Sequence, residues 1–201
     1  MERYKFTRIA HADYLFHSPI GAAKLATLLE LARLSPGSRA VDFGCGNAVV
    51  LIRAIETYGA TGVGVDVSPF ALAEARARAA SRLASGSLVL REGAATEYVS
   101  ISERCDLAVC IGATDVFGGY RQTLLALASL IQPEGHLIVG ELFWKRPPNP
   151  EYLKALGATK DDYQSHAGNV AVVEEVGLRF LKPDGRSLRQ PISVSARSPC
   201  G

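Results

Sequence analysis

The chain has 201 residues, 48% of them hydrophobic and 21% charged, with a formal net charge of +2. That length favours one domain of ordinary globular composition, and the charge is too small to argue for nucleic acid or an anionic membrane as a partner. No apolar run reaches the roughly 18 residues that span a bilayer. The opening stretch "MERYKFTRIAHADY" carries charges throughout and has no apolar core, so no secretion signal is expected and the cytoplasm is the expected location. Cys45, Cys105, Cys110 and Cys200 form no CxxC pair and read as buried or incidental thiols. No metal-ligand spacing is present, so no metal is expected.

In chain order, Ser18-Pro19 reads as a helix start, with apolar residues following at 25, 28, 29 and 32 and a stop at Pro36-Gly37. "RAVDF" (39–43) is a short β-prone run, and "NAVVLIRAIETYG" is a helix ended by Gly59. "TGVGVDV" (61–67) is a second strand. Ser68-Pro69 then opens a helix over "FALAEARARAASRLAS" up to Gly86. "SLVLRE" (87–92) and "CDLAVCIGA" (105–113) are further strands. "YRQTLLALASLI" is a helix ended by "QPEG", and "GHLIVGELF" (135–143) is a fifth strand. "KRPPNPEYL" begins as loop, "NVAVVEEVG" reads as a short helix, and "LRFLK" and "PISVSA" read as two strands joined around Pro183-Asp184-Gly185. Near-continuous apolar strands alternating with helices imply a doubly wound, mostly parallel α/β sheet.

In such a sheet, ligands bind beyond the carboxyl ends of the strands. The loop after the first strand, "VDFGCGNAV", places Gly44 and Gly46 there. A dinucleotide fingerprint needs a third glycine where Val49 stands. The pattern DxGxGx[G/A] is filled instead by Asp42, Gly44, Gly46 and Ala48. Asp42 would repel a pyrophosphate and suits a ligand with an ammonium group.

These residues resemble the class I S-adenosylmethionine-dependent methyltransferases. "VDFGCGNAV", "GVGVDVSP", "CDLAVCIGAT" and "IQPEGHLIVGE" look like successive segments of that family, over roughly residues 20–145. "GATDVFGGY" and "VGELFWKRPPNPEYLKALG" are similar to a bacterial small-molecule group likened to ubiquinone-biosynthesis and cyclopropane-fatty-acid-type methyltransferases. The resemblance implies a Rossmann-like sheet of order 3-2-1-4-5-7-6 with one antiparallel strand. It divides the single domain into an N-terminal lid and helix (1–35), a cofactor-binding core (36–145), and an acceptor-side loop with a C-terminal hairpin (146–201).

By that resemblance, Asp42 and the backbone of Gly44, Cys45 and Gly46 hold the methionine end of S-adenosylmethionine. Asp66, with Val67 beside it, accepts from both ribose hydroxyls; the alternative role of Asp66 is to cap the Ser68 region. The family often has an acidic residue after the third strand. Here "REGAATEY" puts Ala94 in that slot, so backbone groups of Ala94 and Ala95 would contact the adenine, with Glu97 nearby. Ile111, Gly112 and Ala113 would form the floor. Methyl transfer is an in-line displacement, so the protein supplies mainly proximity, and a base matters only for a protonated nucleophile. Candidates for that role are Asp115 and Glu141, each with a structural alternative: a backbone-bonded loop carboxylate and a salt bridge, respectively. His11, Tyr14 and His17 precede the first helix in the segment that is a lid in relatives, and Trp144 either stacks on an acceptor or covers the sheet edge.

Relatives continue beyond residue 201, so the C-terminal part is short and dimerisation is one way to cover what it leaves exposed. The expected activity is methyl transfer from S-adenosylmethionine to a small-molecule acceptor, yielding S-adenosylhomocysteine. The alternative is a non-catalytic S-adenosylmethionine-binding or scaffold protein. A nicotinamide-dependent oxidoreductase is disfavoured by Val49 and Asp42.

Overall fold

The computed structural model describes residues 20–99, 103–181 and 193–197. The Ser18-Pro19 start, the lid residues His11, Tyr14 and His17, the turn at Pro183-Asp184-Gly185 and Cys200 lie outside them. The chain runs α1 (Ala22–Leu31), β1 (Arg39–Phe43), α2 (Val49–Tyr58), β2 (Thr61–Asp66), α3 (Pro69–Ala80), β3 (Leu88–Glu92) and α4 (Ala95–Val99). It continues with β4 (Cys105–Ile111), a 3₁₀ turn (Thr114–Phe117), α5 (Tyr120–Ala128), β5 (Ile131–Gly140), α6 (Pro150–Leu156), α7 (His166–Glu175), β6 (Arg179–Phe180) and β7 (Ser193–Arg197).

The strands form one sheet in the order β3-β2-β1-β4-β5-β7-β6. The first five are parallel, and β7 runs antiparallel to both neighbours. This is the order that the resemblance implies. Strand order reverses at β1, whose neighbours are β2 and β4, and that is where a doubly wound sheet leaves a crevice.

Side chains alternate between the two faces, as the pleat requires. Val41, Phe43, Ala108, Cys110, Leu137 and Val139 pack on one face with Leu124 and Leu127 of α5 and Val172 and Val173 of α7. Ala40, Leu107, Val109 and Ile138 pack on the other with Leu25, Leu28 and Leu29 of α1 and Leu51 and Ala54 of α2. The apolar stripe at 25, 28, 29 and 32 is thus the buried face of α1.

Several boundaries shift from the sequence reading. α1 begins behind an extended Gly21, and it ends at Leu31 because Arg33 turns to φ 49°. α3 opens as expected, with the Ser68 hydroxyl accepting the Ala71 N–H at 3.3 Å and Pro69 in the first turn, but it stops at Ala80. The stretch "QPEG" lies inside β5: Ile131 pairs with Cys105, His136 with Leu107, and residues 132–135 bulge between them. Pairing with a central strand there outweighs the helical propensity of the preceding residues. "NPEYL" forms α6 behind an Asn149 cap that accepts the Glu151 N–H at 2.7 Å. Among the described residues no helix is long and apolar enough to cross a membrane.

Leu107 is fully buried at the centre of the sheet, whereas Leu125 is 51% exposed on α5. Leu107→Ala is expected to cost about 2–5 kcal/mol, and Leu125→Ala less than about 0.5 kcal/mol. Paired thermal melts check this, at about 2–4 °C per kcal/mol for a chain of this size.

Candidate functional site

The loop from β1 to α2 is built by its backbone. Gly44 N–H and Cys45 N–H both donate to the Val65 carbonyl, at 2.8 and 3.1 Å, so the loop folds over the end of β2. Gly44 has φ 73°, and a Cβ there would lie 2.5 Å from the Ala113 Cβ. The tight packing of this glycine is therefore against the end of the neighbouring β4 segment. Ala48 adopts a left-handed conformation at φ 56°, which launches α2 without a side-chain cap.

Asp66 fastens this loop. Its Oδ2 accepts the Gly46 N–H at 2.8 Å, and its Oδ1 accepts the Ser68 N–H at 2.8 Å. The capping role weighed for Asp66 is thus made. Each carboxylate oxygen has a further lone-pair direction for another donor.

A cavity of about 440 Å³ opens beyond the carboxyl ends of β1, β2 and β4. It is lined by Asp42, Gly44, Cys45, Gly46, Asp66, Val67, Ala95, Ile111, Gly112 and Asp115. Ala94 does not line it; Gly93, turned out at φ 156°, does. Asn47, Phe70, Glu74 and Val116 also line it and were not singled out from the sequence. Asn47 Nδ2 donates to Glu74 Oε1 at 3.2 Å, and Arg78 donates to the same oxygen at 2.9 Å. Glu74 owes its place to α3 crossing the end of β2. Its spacing from Ser68-Pro69 is the one sequence signal that would have found it.

Asp42 is buried, and its carboxyl is held well above the usual carboxylate range, first by burial and then by the charge of Asp66. Cys45 is also buried in the wall, and burial, followed by the charges of Asp42 and Asp66, pushes its thiol up. A thiol held protonated in this way is a poor nucleophile. Cys45, Cys105 and Cys110 are free and buried, as expected for incidental thiols.

Asp115 opens into the cavity from the 3₁₀ turn, and the Gly118 N–H donates to its backbone carbonyl. Glu141 stands just past β5 and does not line the cavity. It accepts from the Thr114 hydroxyl and, at 2.7 Å, from the Leu142 N–H, so its structural role is hydrogen bonding to the loops. Its charge also contributes, after burial, to raising the phenols of Tyr120 and Tyr163. Trp144 donates its indole N–H to the Lys160 carbonyl at 3.0 Å and meets Tyr163 edge-on at 5.5 Å, which ties the segment after α6 to the end of β5.

Residues 34–168 match the family described as a methyltransferase domain, and the chain belongs to that family. The uncharacterized protein YjhP of Escherichia coli K12 is 32% identical over 176 residues, 87% of this chain and 71% of its own. A SAM-dependent methyltransferase from Geobacter sulfurreducens, solved in complex with S-adenosyl-L-homocysteine, superposes with a TM-score of 0.82 at 28% identity, covering 89% of this chain and 72% of that one. One from Thiobacillus denitrificans, in complex with the same compound, gives 0.80 at 31% identity over the same shares. The narrower likeness to ubiquinone-biosynthesis and cyclopropane-fatty-acid-type enzymes gains no support from these relatives.

Because Asp42 is harder to deprotonate in the folded state than in the unfolded one, it binds its proton more tightly when folded. Its contribution to stability is therefore greatest at pH below the ordinary carboxylate range and is lost as pH rises through the raised folded value. Asp42→Asn is expected to stabilise the ligand-free protein at neutral pH by about 1–3 kcal/mol, the cost of burying a charge to which no described residue donates. The gain should vanish near pH 4, and melts across pH read it directly.

Proposed function

We propose that this member of the methyltransferase-domain family binds S-adenosylmethionine in the cavity at the ends of β1, β2 and β4 and transfers its methyl group to a small-molecule acceptor. The observation that carries the reading is the convergence of Asp42, the Gly44–Gly46 backbone and Asp66 on one cavity. The fit is chemical as well as spatial. A buried carboxylate and a bonded one face a space that suits a ligand bearing an ammonium group and a ribose, and the apolar faces of Val67, Phe70 and Val116 border it for an adenine ring.

In this reading Asp42 orients the ammonium group, and its ionised form is favoured by the ligand's charge. Asp66 uses its remaining lone pairs for the ribose hydroxyls while its other two hold Gly46 and Ser68. Gly93 and Ala95 edge the adenine pocket without a side-chain donor or acceptor. When bound, S-adenosylmethionine supplies an activated methyl group for in-line displacement, so the chain's task is orientation and exclusion of water. Asp115 is the carboxylate placed to take a proton from an acceptor that arrives protonated. Glu141 positions the Thr114 side of that turn through its hydroxyl contact.

The test is a thermal melt with S-adenosylhomocysteine, which cannot react. At about 100 times its dissociation constant it should stabilise by roughly 2.7 kcal/mol, a shift of several degrees, and NAD should not reproduce this. Asp66→Ala should abolish the shift and lower stability by about 1–3 kcal/mol through loss of two charge-assisted bonds. No shift at millimolar ligand overturns the cofactor assignment. Turnover across a panel of acceptors then separates an enzyme from a binding protein.

A further inference from the structure

Helix α5 starts at Tyr120, at the rim formed by the carboxyl ends of the strands, and its sheet-facing stripe runs from Tyr120 through Leu124 to Leu127. Leu124 and Leu127 are fully buried in the same core as Leu137 and Val139 of β5. The alternation that turns residues 137 and 139 to that face carries Glu141 to it just past the strand end. Tyr120 therefore stands over the rim where Glu141 meets the Thr114 turn. The neighbouring polar groups bond to one another. The Thr114 hydroxyl and the Leu142 N–H donate to Glu141, and the Thr123 hydroxyl reaches the Thr114 and Gly119 carbonyls at 3.1 and 2.9 Å. Tyr120 is the exception. It is half-buried as a residue, yet its hydroxyl oxygen is fully buried, so the tip and not the ring edge points inward. Among the described residues it is the one buried side-chain oxygen or nitrogen without a hydrogen-bond partner. Burial, followed by the charge of Glu141, pushes the phenol up, which keeps it a neutral O–H donor. An unpaired buried hydroxyl destabilises a fold, so this one calls for a partner.

The chemistry of that partner follows from two side chains. The Tyr120 hydroxyl needs an acceptor for its proton. The Glu141 carboxylate, with two of its roughly four lone-pair sites used, takes only donors. A single hydroxyl group meets both needs, accepting from the phenol and donating to the carboxylate. An ammonium donates to both oxygens and leaves the phenol proton unpaired, and a carbonyl or an ether gives Glu141 no donor. We propose that Tyr120 is a specificity-determining residue for the methyl acceptor: together with Glu141 it binds a hydroxyl group that the acceptor carries beside the atom to be methylated. The inference rests on the methyl-transfer reading and deepens it by naming the acceptor class, hydroxylated small molecules. The bound hydroxyl is not the nucleophile and keeps its proton. The nucleophilic atom faces the cavity on the other side of the 3₁₀ turn, where Asp115 opens. Gly118 has open space where a Cβ would stand, so the turn before Tyr120 does not block the approach to its ring. Tyr163, whose phenol is raised by burial and then by the charges of Glu141, Asp162 and Asp115, meets Trp144 edge-on and brings an aromatic pair to the same rim.

Two measurements on the whole chain test this. The first is the melting temperature of Tyr120→Phe against the unmodified chain, each with and without S-adenosylhomocysteine. Removing an unpaired buried oxygen is expected to leave the midpoint within about 1 °C or to raise it by a few degrees. A fall of more than about 2 °C, or failure to fold, means that the phenol is already satisfied inside the protein, by a buried water or a side chain, and overturns the proposal. The second is turnover of S-adenosylmethionine with acceptors in matched pairs, ethanolamine against ethylamine and catechol against phenol, in which the second member lacks the recognition hydroxyl. The hydroxylated members are expected to show kcat/KM at least about tenfold higher, and Tyr120→Phe to bring that ratio within about threefold, mainly by raising KM. Turnover without a hydroxyl preference overturns the role of Tyr120 and leaves the methyl-transfer reading standing. A melting shift with S-adenosylhomocysteine but no turnover of any member overturns the hydroxylated acceptor class. Absence of that shift in the unmodified chain overturns the cofactor reading itself.

Discussion

The two backbone N–H groups held by Asp66 are the constraint on which the site depends. Gly46 belongs to the loop after β1 and Ser68 to the turn that starts α3, and a single carboxylate binds both at 2.8 Å. Parallel pairing of β1 with β2 puts the two turns side by side, with Phe43 opposite Val65 in register. The carboxylate then closes the gap between them with charge-assisted hydrogen bonds, which are stronger than neutral ones. Without such an acceptor, the first N–H groups of a tight loop and of a helix start would need water or a ligand. The cavity is therefore shaped before anything enters it.

The same arrangement has a thermodynamic consequence. Asp42 sits one strand away, buried and subject to the like charge of Asp66. Burial and mutual repulsion both disfavour ionisation of two carboxylates beside a partly dry space, and the Asp66 bonds to Gly46 and Ser68 offset only part of that cost. Keeping this pair trades stability at neutral pH for the proposed ligand contacts. The surrounding core supports that trade: β1 and β4 contribute fully buried Val41, Phe43, Leu107, Ala108 and Val109, packed against helices on both faces. The 3₁₀ turn that carries Asp115 is anchored in the same core, with Phe117 meeting Phe43 edge-on at 5.6 Å. The cavity is thus mounted on deeply buried strands, and the loops after β4 and β5 are pinned through Thr114, Glu141 and Trp144.

The element pattern was legible because most strands are short apolar runs and some helix starts carry local chemistry, as at Ser68-Pro69. Less legible were features whose cause is a distant partner. The bulge at residues 132–135 exists because Cys105 and Leu107 pair across it, and no local pattern in "QPEG" reports that. The short α4 and α6 helices fall below the length at which periodicity speaks. On the site, Asp42, Gly44, Gly46 and Asp66 were readable from one loop and one strand end. Glu74, Phe70 and Val116 line the cavity only because parallel pairing brings the turns after β2 and β4 beside the loop after β1.

The sequence by itself determined the alternation of strands and helices, the glycine loop after β1 and the acidic residues at two strand ends, because these rest on neighbours a few positions apart. Tertiary structure alone decided that the Gly44 position packs against Ala113, that Gly93 rather than Ala94 lines the cavity, and that Glu141 accepts from Thr114 and Leu142. It also decided that Asp42, Asp66, Glu74 and Asp115 share one cavity. A wall's charge is the sum over side chains from several strands and helices, and that sum exists only once the sheet has brought them together.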